Sequence, residues 1–156
     1  MKSLQELTEL WLGCNQLEGV CELSFPSLQT LCLSSNRLKS ADGIQNCPAI
    51  TECLLDNNQL ENIRPLSECK GLEVVDFSYN QVTAIDPIMG HQLTDLWILH
   101  NPQLDVIPEL LKLEQKSKVE SLAVQGCKAP SKDTLVKMLR GMFTNLRTLN
   151  GDPLRQ

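Results

Sequence analysis

Few side chains in this sequence are of types that carry out covalent chemistry: two histidines, seven cysteines and a scatter of carboxylates. Asp56 and Asp76 come nearest to an acid–base pair, because carboxyl groups facing each other across adjacent strands approach the separation that hydrolytic pairs use. What such a pair also needs is a dry pocket that drives its two pKa values apart, and an open sheet does not supply one. His91 precedes a short apolar run and His100 follows it, and neither stands in a nucleophile motif. No GxGxxG or P-loop signature and no HExxH is present. The cysteine count is odd and no CxxC occurs, so neither a disulfide framework nor a zinc site is indicated. Cys53 replaces a core leucine, while Cys47 and Cys69 share one recurring apolar slot. Reduced thiols used as small hydrophobes fit a cytoplasmic address, with nuclear, cytoskeletal or ciliary sites as alternatives. The expectation is a chain that is not an enzyme and holds no metal or cofactor.

The chemistry that remains is recognition. The only two tryptophans sit in matching segments, "LTELWLGCNQL" from Leu7 and "LTDLWILHNPQL" from Leu93. In each, the tryptophan lies between two apolar residues of an alternating run, where a strand turns its side chain away from the core. "LQTLCLSSNRL" from Leu28, "ITECLLDNNQL" from Ile50 and "LEVVDFSYNQV" from Leu72 follow the same grammar. The five segments start 21, 22, 22 and 21 residues apart. A sixth copy, "VESLAVQGC", starts at Val119, and a truncated seventh, "LRTLNGDPL", at Leu146.

A period of this length, with LxxLxLxxNxL in each copy, predicts one coil per repeat. The L-x-L pair makes a short parallel strand with one buried face, and the chain must return over that face to bury it. The asparagine falls where the backbone turns, and its amide can satisfy main-chain groups that a tight turn would orphan. Cys127 replaces it in the sixth copy, which predicts that the asparagine ladder ends there. The return arms carry apolar residues at every third position (Leu38, Ala41, Ile44, Cys47, Ile50), a period that matches 3₁₀ turns. The fifth arm, "IPELLKLEQKSK", is long enough for a fuller helix with Pro108 near its start. Ser131 is placed to cap a final helix whose Leu135, Met138, Leu139 and Met142 share a face.

These motifs resemble the leucine-rich-repeat family. The period is similar to that of the intracellular subclass typified by the phosphatase-1 regulatory repeat subunit and the leucine-rich light chain of axonemal dynein. "LTELWL" and "LTDLWI" resemble the acidic-x-Trp strands of that subclass, and "LRTLNGDPL" resembles its terminal cap. The resemblance covers residues 4 to 154. It implies one α/β domain over residues 1–156: a right-handed solenoid with short parallel strands on a concave face, 3₁₀ or short helical convex arms, and a C-terminal helical cap at 128–156. It also implies a non-catalytic module that grips a protein partner, with a phosphatase catalytic subunit or a motor or axonemal protein as the candidates. By motif match, Asp95 and Trp97, together with Glu9 and Trp11, would contact it. The chain has about half as many repeats as the phosphatase regulator.

Within each repeat the third, fifth, seventh and eighth positions face the concave side. They supply Glu9 and Trp11, then Glu52, Leu54 and Asp56, then Asp76 and Tyr79, then Asp95, Trp97 and His100, with Cys14 and Cys32 among the rest. Five of these are carboxylates, none is Lys or Arg, and four are large rings. The two tryptophans are four strands apart, roughly 15–20 Å at about 4.8 Å per strand with curvature allowed for. That suits a protein interface better than a small-ligand pocket.

Residues 1 to 110 carry 5 basic and 15 acidic side chains, and residues 111 to 156 carry 9 basic and 4 acidic. An acidic face steers a basic partner and repels nucleic acid. No apolar run reaches membrane-spanning length and no signal core opens the chain. The first strand is expected to present an open edge beside Leu4 and Leu7. That edge suits either a monomer covered by something else or a segment of a larger scaffold without a binding role of its own.

Overall fold

The computed structural model describes residues 4–154. Eight strands form one sheet in strict chain order: β1 (Glu9–Trp11), β2 (Thr30–Cys32), β3 (Glu52–Leu54), β4 (Val74–Asp76), β5 (Asp95–Trp97), β6 (Ser121–Ala123), β7 (Thr148–Leu149) and β8 (Asp152–Pro153). The first seven are parallel and the last turns back antiparallel. Each parallel step is a full coil, and the return arms are 3₁₀ turns at Ile44–Asn46, Arg64–Glu68 and Asp86–Ile88. The fifth arm is instead a seven-residue α-helix, α1 (Val106–Lys112), with Pro108 in its first turn. Three-residue strands suffice because β2 to β6 are each held on both edges and each seals one aliphatic layer.

The apolar repeat positions fill those layers. Leu28, Leu31, Leu33, Leu38, Ile44, Cys47 and Ile50 are completely buried, as are their counterparts in the next coil, Ile50 through Leu72. Each such leucine contributes on the order of 2 kcal/mol of burial. Cys53 and Cys69 lie in the same core as thiols, unpaired. His91 continues the Cys47–Cys69 row: it is buried, and its Nε2 lies 3.1 Å from the Leu66 carbonyl of the preceding coil.

The asparagines form the second fixture. Asn80 Nδ2 donates to the Phe77 and Ser78 carbonyls of its own turn and to the Leu55 carbonyl one coil back, each at 3.0 Å, while its Oδ1 accepts the Leu60 N–H at 2.8 Å. Asn36, Asn58 and Asn101 repeat the arrangement. Cys127 keeps only a fragment of it, an Sγ–H directed at the Ile98 carbonyl at 2.9 Å. The ladder does not stop there, however: Asn150 Oδ1 accepts the Val124 and Gln125 N–H groups of the sixth coil.

The two ends differ. The last coil is covered by α2 (Lys132–Met142), which buries Leu135 and Leu139, by Phe143 beyond it, and by the β7–β8 hairpin. Met138 is turned 39% to solvent rather than onto the shared face, because at 100° per residue it falls at the margin of the Leu135–Leu139–Met142 stripe. Ser131 precedes α2, but its hydroxyl donates to Thr134 Oγ1 rather than accepting a backbone N–H. At the other end β1 has an open outer edge among the described residues. Leu7, Leu10, Leu12, Leu17 and Leu23 are only partly buried and Leu4 is exposed, whereas the matching residues of the second coil are sealed. Asn15 bonds only the Leu12 and Gly13 carbonyls of its own turn.

Candidate functional site

Strand register places the predicted residues in rows. Trp11, Cys32, Leu54, Asp76, Trp97 and Ala123 are Cα partners in succession, so both tryptophans project from one face along one line. Glu9, Thr30, Glu52, Val74, Asp95 and Ser121 form the adjacent row. Trp11 is 59% exposed and its Nε1–H donates to Glu9 Oε2 at 3.2 Å. Trp97 is half-buried, because its Nε1–H reaches across to Ser121 Oγ at 3.0 Å and lays the indole along the sheet. Cys32, expected on the open face, is buried: a small side chain between Trp11 and Leu54 in the same row is covered by its larger neighbours.

Asp56 and Asp76 do come together. Asp56 accepts a hydrogen bond from Ser34 Oγ, and Asp76 Oδ1 accepts the Ser78 N–H at 2.8 Å. Partial burial pushes the Asp76 carboxyl above the usual aspartate range, against the lowering effect of Ser78, and the charge of Asp56 adds to the rise. Glu52 accepts from Thr30 Oγ1 and Asp95 from Thr94 Oγ1. The five carboxylates are therefore fixed by hydroxyl, indole and amide donors rather than neutralised by cations. Among the described residues no ion pair involves them, and no three His, Cys, Asp or Glu side chains converge to hold a metal.

The eighth position of every coil adopts a left-handed backbone: Cys14, Ser35, Asn57, Tyr79 and His100 have φ between 49° and 57°, and Gly126 has φ 80°. This turn lifts their side chains into a third row along the face. In it the Tyr79 and His100 rings stack, with centroids 4.5 Å apart and planes 19° from parallel. Ser121 and Gly126 were missed as parts of this site, and Ser78, expected on the open face at its repeat's seventh position, is buried. The signal for Gly126 was present, since it occupies the eighth position of its repeat.

Comparison with known proteins agrees with this geometry. A family profile described as "Leucine Rich repeats (2 copies)" matches residues 26–68. The receptor protein-tyrosine kinase CEPR1 of Arabidopsis thaliana is 35% identical over 97 residues, covering 57% of this chain and 10% of that protein. Leucine-rich repeat and IQ domain-containing protein 3 of Mus musculus is 36% identical over 52 residues, covering 33% of this chain and 8% of that protein. The chain thus spans about a tenth of the curated relatives it matches. Among solved structures, an internalin (inlF) of Listeria monocytogenes superposes with a TM-score of 0.76 at 18% identity, covering 94% of this chain and 41% of that one. A leucine-rich-repeat protein of Leptospira interrogans gives 0.70 at 22% identity, covering 94% and 37%. The fold is a leucine-rich-repeat solenoid. The repeats of residues 26–68 are similar to that family's, and the solenoid likeness extends over nearly the whole chain. Among the described residues no helix is long and apolar enough to cross a membrane.

Proposed function

We propose that the open sheet face binds a basic segment of a partner protein, without catalysis, with Glu9, Trp11, Glu52, Leu54, Asp56, Asp76, Tyr79, Asp95, Trp97 and His100 as the contact set. The observation that carries this is the register row from Trp11 to Trp97, flanked by five carboxylates with no cation among them. Aromatic anchors supply most of an interface's energy, and an acidic field speeds the arrival of a basic partner. Resemblance to the phosphatase regulator and the dynein light chain names two candidates, a phosphatase catalytic subunit and a motor or axonemal protein. Either fits the cytoplasmic address inferred from reduced cysteines.

The test compares immobilised wild type with a Trp11→Ala/Trp97→Ala variant, both offered purified phosphatase-1 catalytic subunit and, separately, axonemal extract at low and high salt. Selective, salt-weakened capture by wild type identifies the partner. Equal recovery of every protein by both forms counts against the face. The open β1 edge and the half-used Asn15 favour a second reading, in which the coils are one stretch of a larger scaffold. On that reading wild type and variant bind nothing selectively.

A further inference from the structure

The third row of the face contains an unfinished stack. His100 has no room on one side: a Cβ built on Gly126 would lie 2.5 Å from its Nδ1, so the imidazole is seated directly against that backbone. Tyr79 covers the other side of the imidazole. The next residue along the row, Asn57, could have continued the stack by lying on Tyr79. It turns away instead, its Nδ2 donating to Ser35 Oγ at 3.1 Å. Tyr79 is accordingly 52% exposed, its ring braced from behind and bare in front.

What borders that bare face is anionic. The Asn57 N–H bonds the Ser78 carbonyl at 2.8 Å, which puts the coil bearing Asp56 immediately beside Tyr79. Asp56 is held by Ser34 through Oδ1 alone, so its second oxygen is available. Asp76 lies close enough to feel the charge of Asp56. A flat group stacked on Tyr79 at this place must therefore tolerate, and gain from, two carboxylates.

We propose that the free face of Tyr79 is a platform for an arginine side chain of the partner, stacked on the phenol ring with its N–H groups toward Asp56. This rests on the partner-binding reading of the open face and adds a residue preference to it. A guanidinium is planar, weakly hydrated and forked, so it can stack and donate to a carboxylate at once. A lysine ammonium is a point charge that can take the carboxylate or the ring but is poorly shaped for both. A nucleobase would also stack, but its phosphates would meet the carboxylates of this face.

The test uses capped hexa-arginine and hexa-lysine peptides, equal in charge, titrated against the whole chain by isothermal titration calorimetry. Wild type binds hexa-arginine about three- to fivefold more tightly, the range expected of one cation–π contact. Tyr79→Ala brings the two peptides to parity, Tyr79→Phe restores the preference, and Asp56→Asn weakens both. On wild type and Tyr79→Phe, but not on Tyr79→Ala, arginine side-chain protons of the bound peptide shift upfield under the ring. Equal affinities for wild type, or a preference that survives in Tyr79→Ala, overturns the platform. If both peptides bind equally and both are lost in Trp11→Ala/Trp97→Ala, only the platform fails. If neither peptide binds, the partner-binding reading fails with it.

Discussion

Replacing Asn80 by alanine removes one side chain and four hydrogen bonds. Two of these, to Phe77 and Ser78, stabilise the turn itself; the other two, to Leu55 and from Leu60, join neighbouring coils. Asn80 is 4% exposed, so water does not replace them. Leaving a buried N–H and a buried carbonyl unsatisfied costs about 1–3 kcal/mol each, which places Asn80→Ala at roughly 3–5 kcal/mol. Asn15 provides the internal control, because it makes only the two bonds within its turn and is exposed. Asn15→Ala should cost about 1 kcal/mol or less. Asn80→Asp keeps the acceptor but sets a carboxylate against three carbonyl oxygens, and should be at least as harmful as alanine. Urea unfolding followed by circular dichroism measures all three, with the midpoint shift at unchanged slope giving the difference. Equal losses at Asn80 and Asn15 would mean that the cross-coil bonds contribute nothing net, and the ladder would then be a consequence of stacking rather than one of its causes.

Two further outcomes follow from groups on and beneath the face. Because burial raises the Asp76 carboxyl in the folded chain, the native state holds that proton more tightly than the unfolded chain does; this favours folding at acid pH and is lost as pH rises through the folded pKa. Asp76→Asn should therefore show a higher urea midpoint than wild type at pH 7, with the gap closing as pH falls toward the ordinary aspartate value of about 3.9; a gap that widens in acid refutes the assignment. Thiol accessibility is equally specific. Burial pushes Cys69 up to about 11 and Cys53 well above the usual thiol range, whereas Cys14 and Cys21 are exposed. A thiol-disulfide reagent at pH 8 should label Cys14 and Cys21 rapidly, reach Cys127 slowly and spare Cys47, Cys53 and Cys69 until urea is added. Early labelling of Cys53 would show that the coils open.

The sequence made the coil legible wherever one residue type repeats with one job. Asn36, Asn58, Asn80 and Asn101 could be assigned to turns, and Trp11 and Trp97 to one row, because a constant period converts sequence position into place. It was silent where the outcome depends on what a neighbouring coil happens to carry. Cys32 is buried by its row partners, and Trp97 is drawn down by Ser121. Met138 required the pitch of α2 to be fixed first, and the Ser131 hydroxyl donates to Thr134 Oγ1 instead of capping the helix. Nothing in single-repeat grammar announces that His100 stacks on Tyr79, since the contact needs left-handed turns at both residues and a glycine one coil on.

That left-handed position also links stability to display. A non-glycine residue there carries a cost of about 1 kcal/mol or more, and tyrosine, unlike asparagine, has no short polar group to bond its own turn. Coil six avoids the cost with Gly126, and coil three softens it with Asn57. Coil four nevertheless places its ring there, half in solvent, next to the buried Ser78 and Asn80. A residue chosen for the turn would be glycine or asparagine, and a residue chosen for the core would be sealed. Tyr79 meets neither description, as Cys14, Ser35 and His100 at the same position do not, and it differs from them in carrying a large ring, braced by His100, beside carboxylates. The repeat's structural positions (first, fourth, sixth and ninth) and its displayed ones (third, fifth, seventh and eighth) are different residues. Substitutions on the face should therefore have little effect on the coils beneath, and the proposed arginine platform offers one account of an aromatic residue at a left-handed turn.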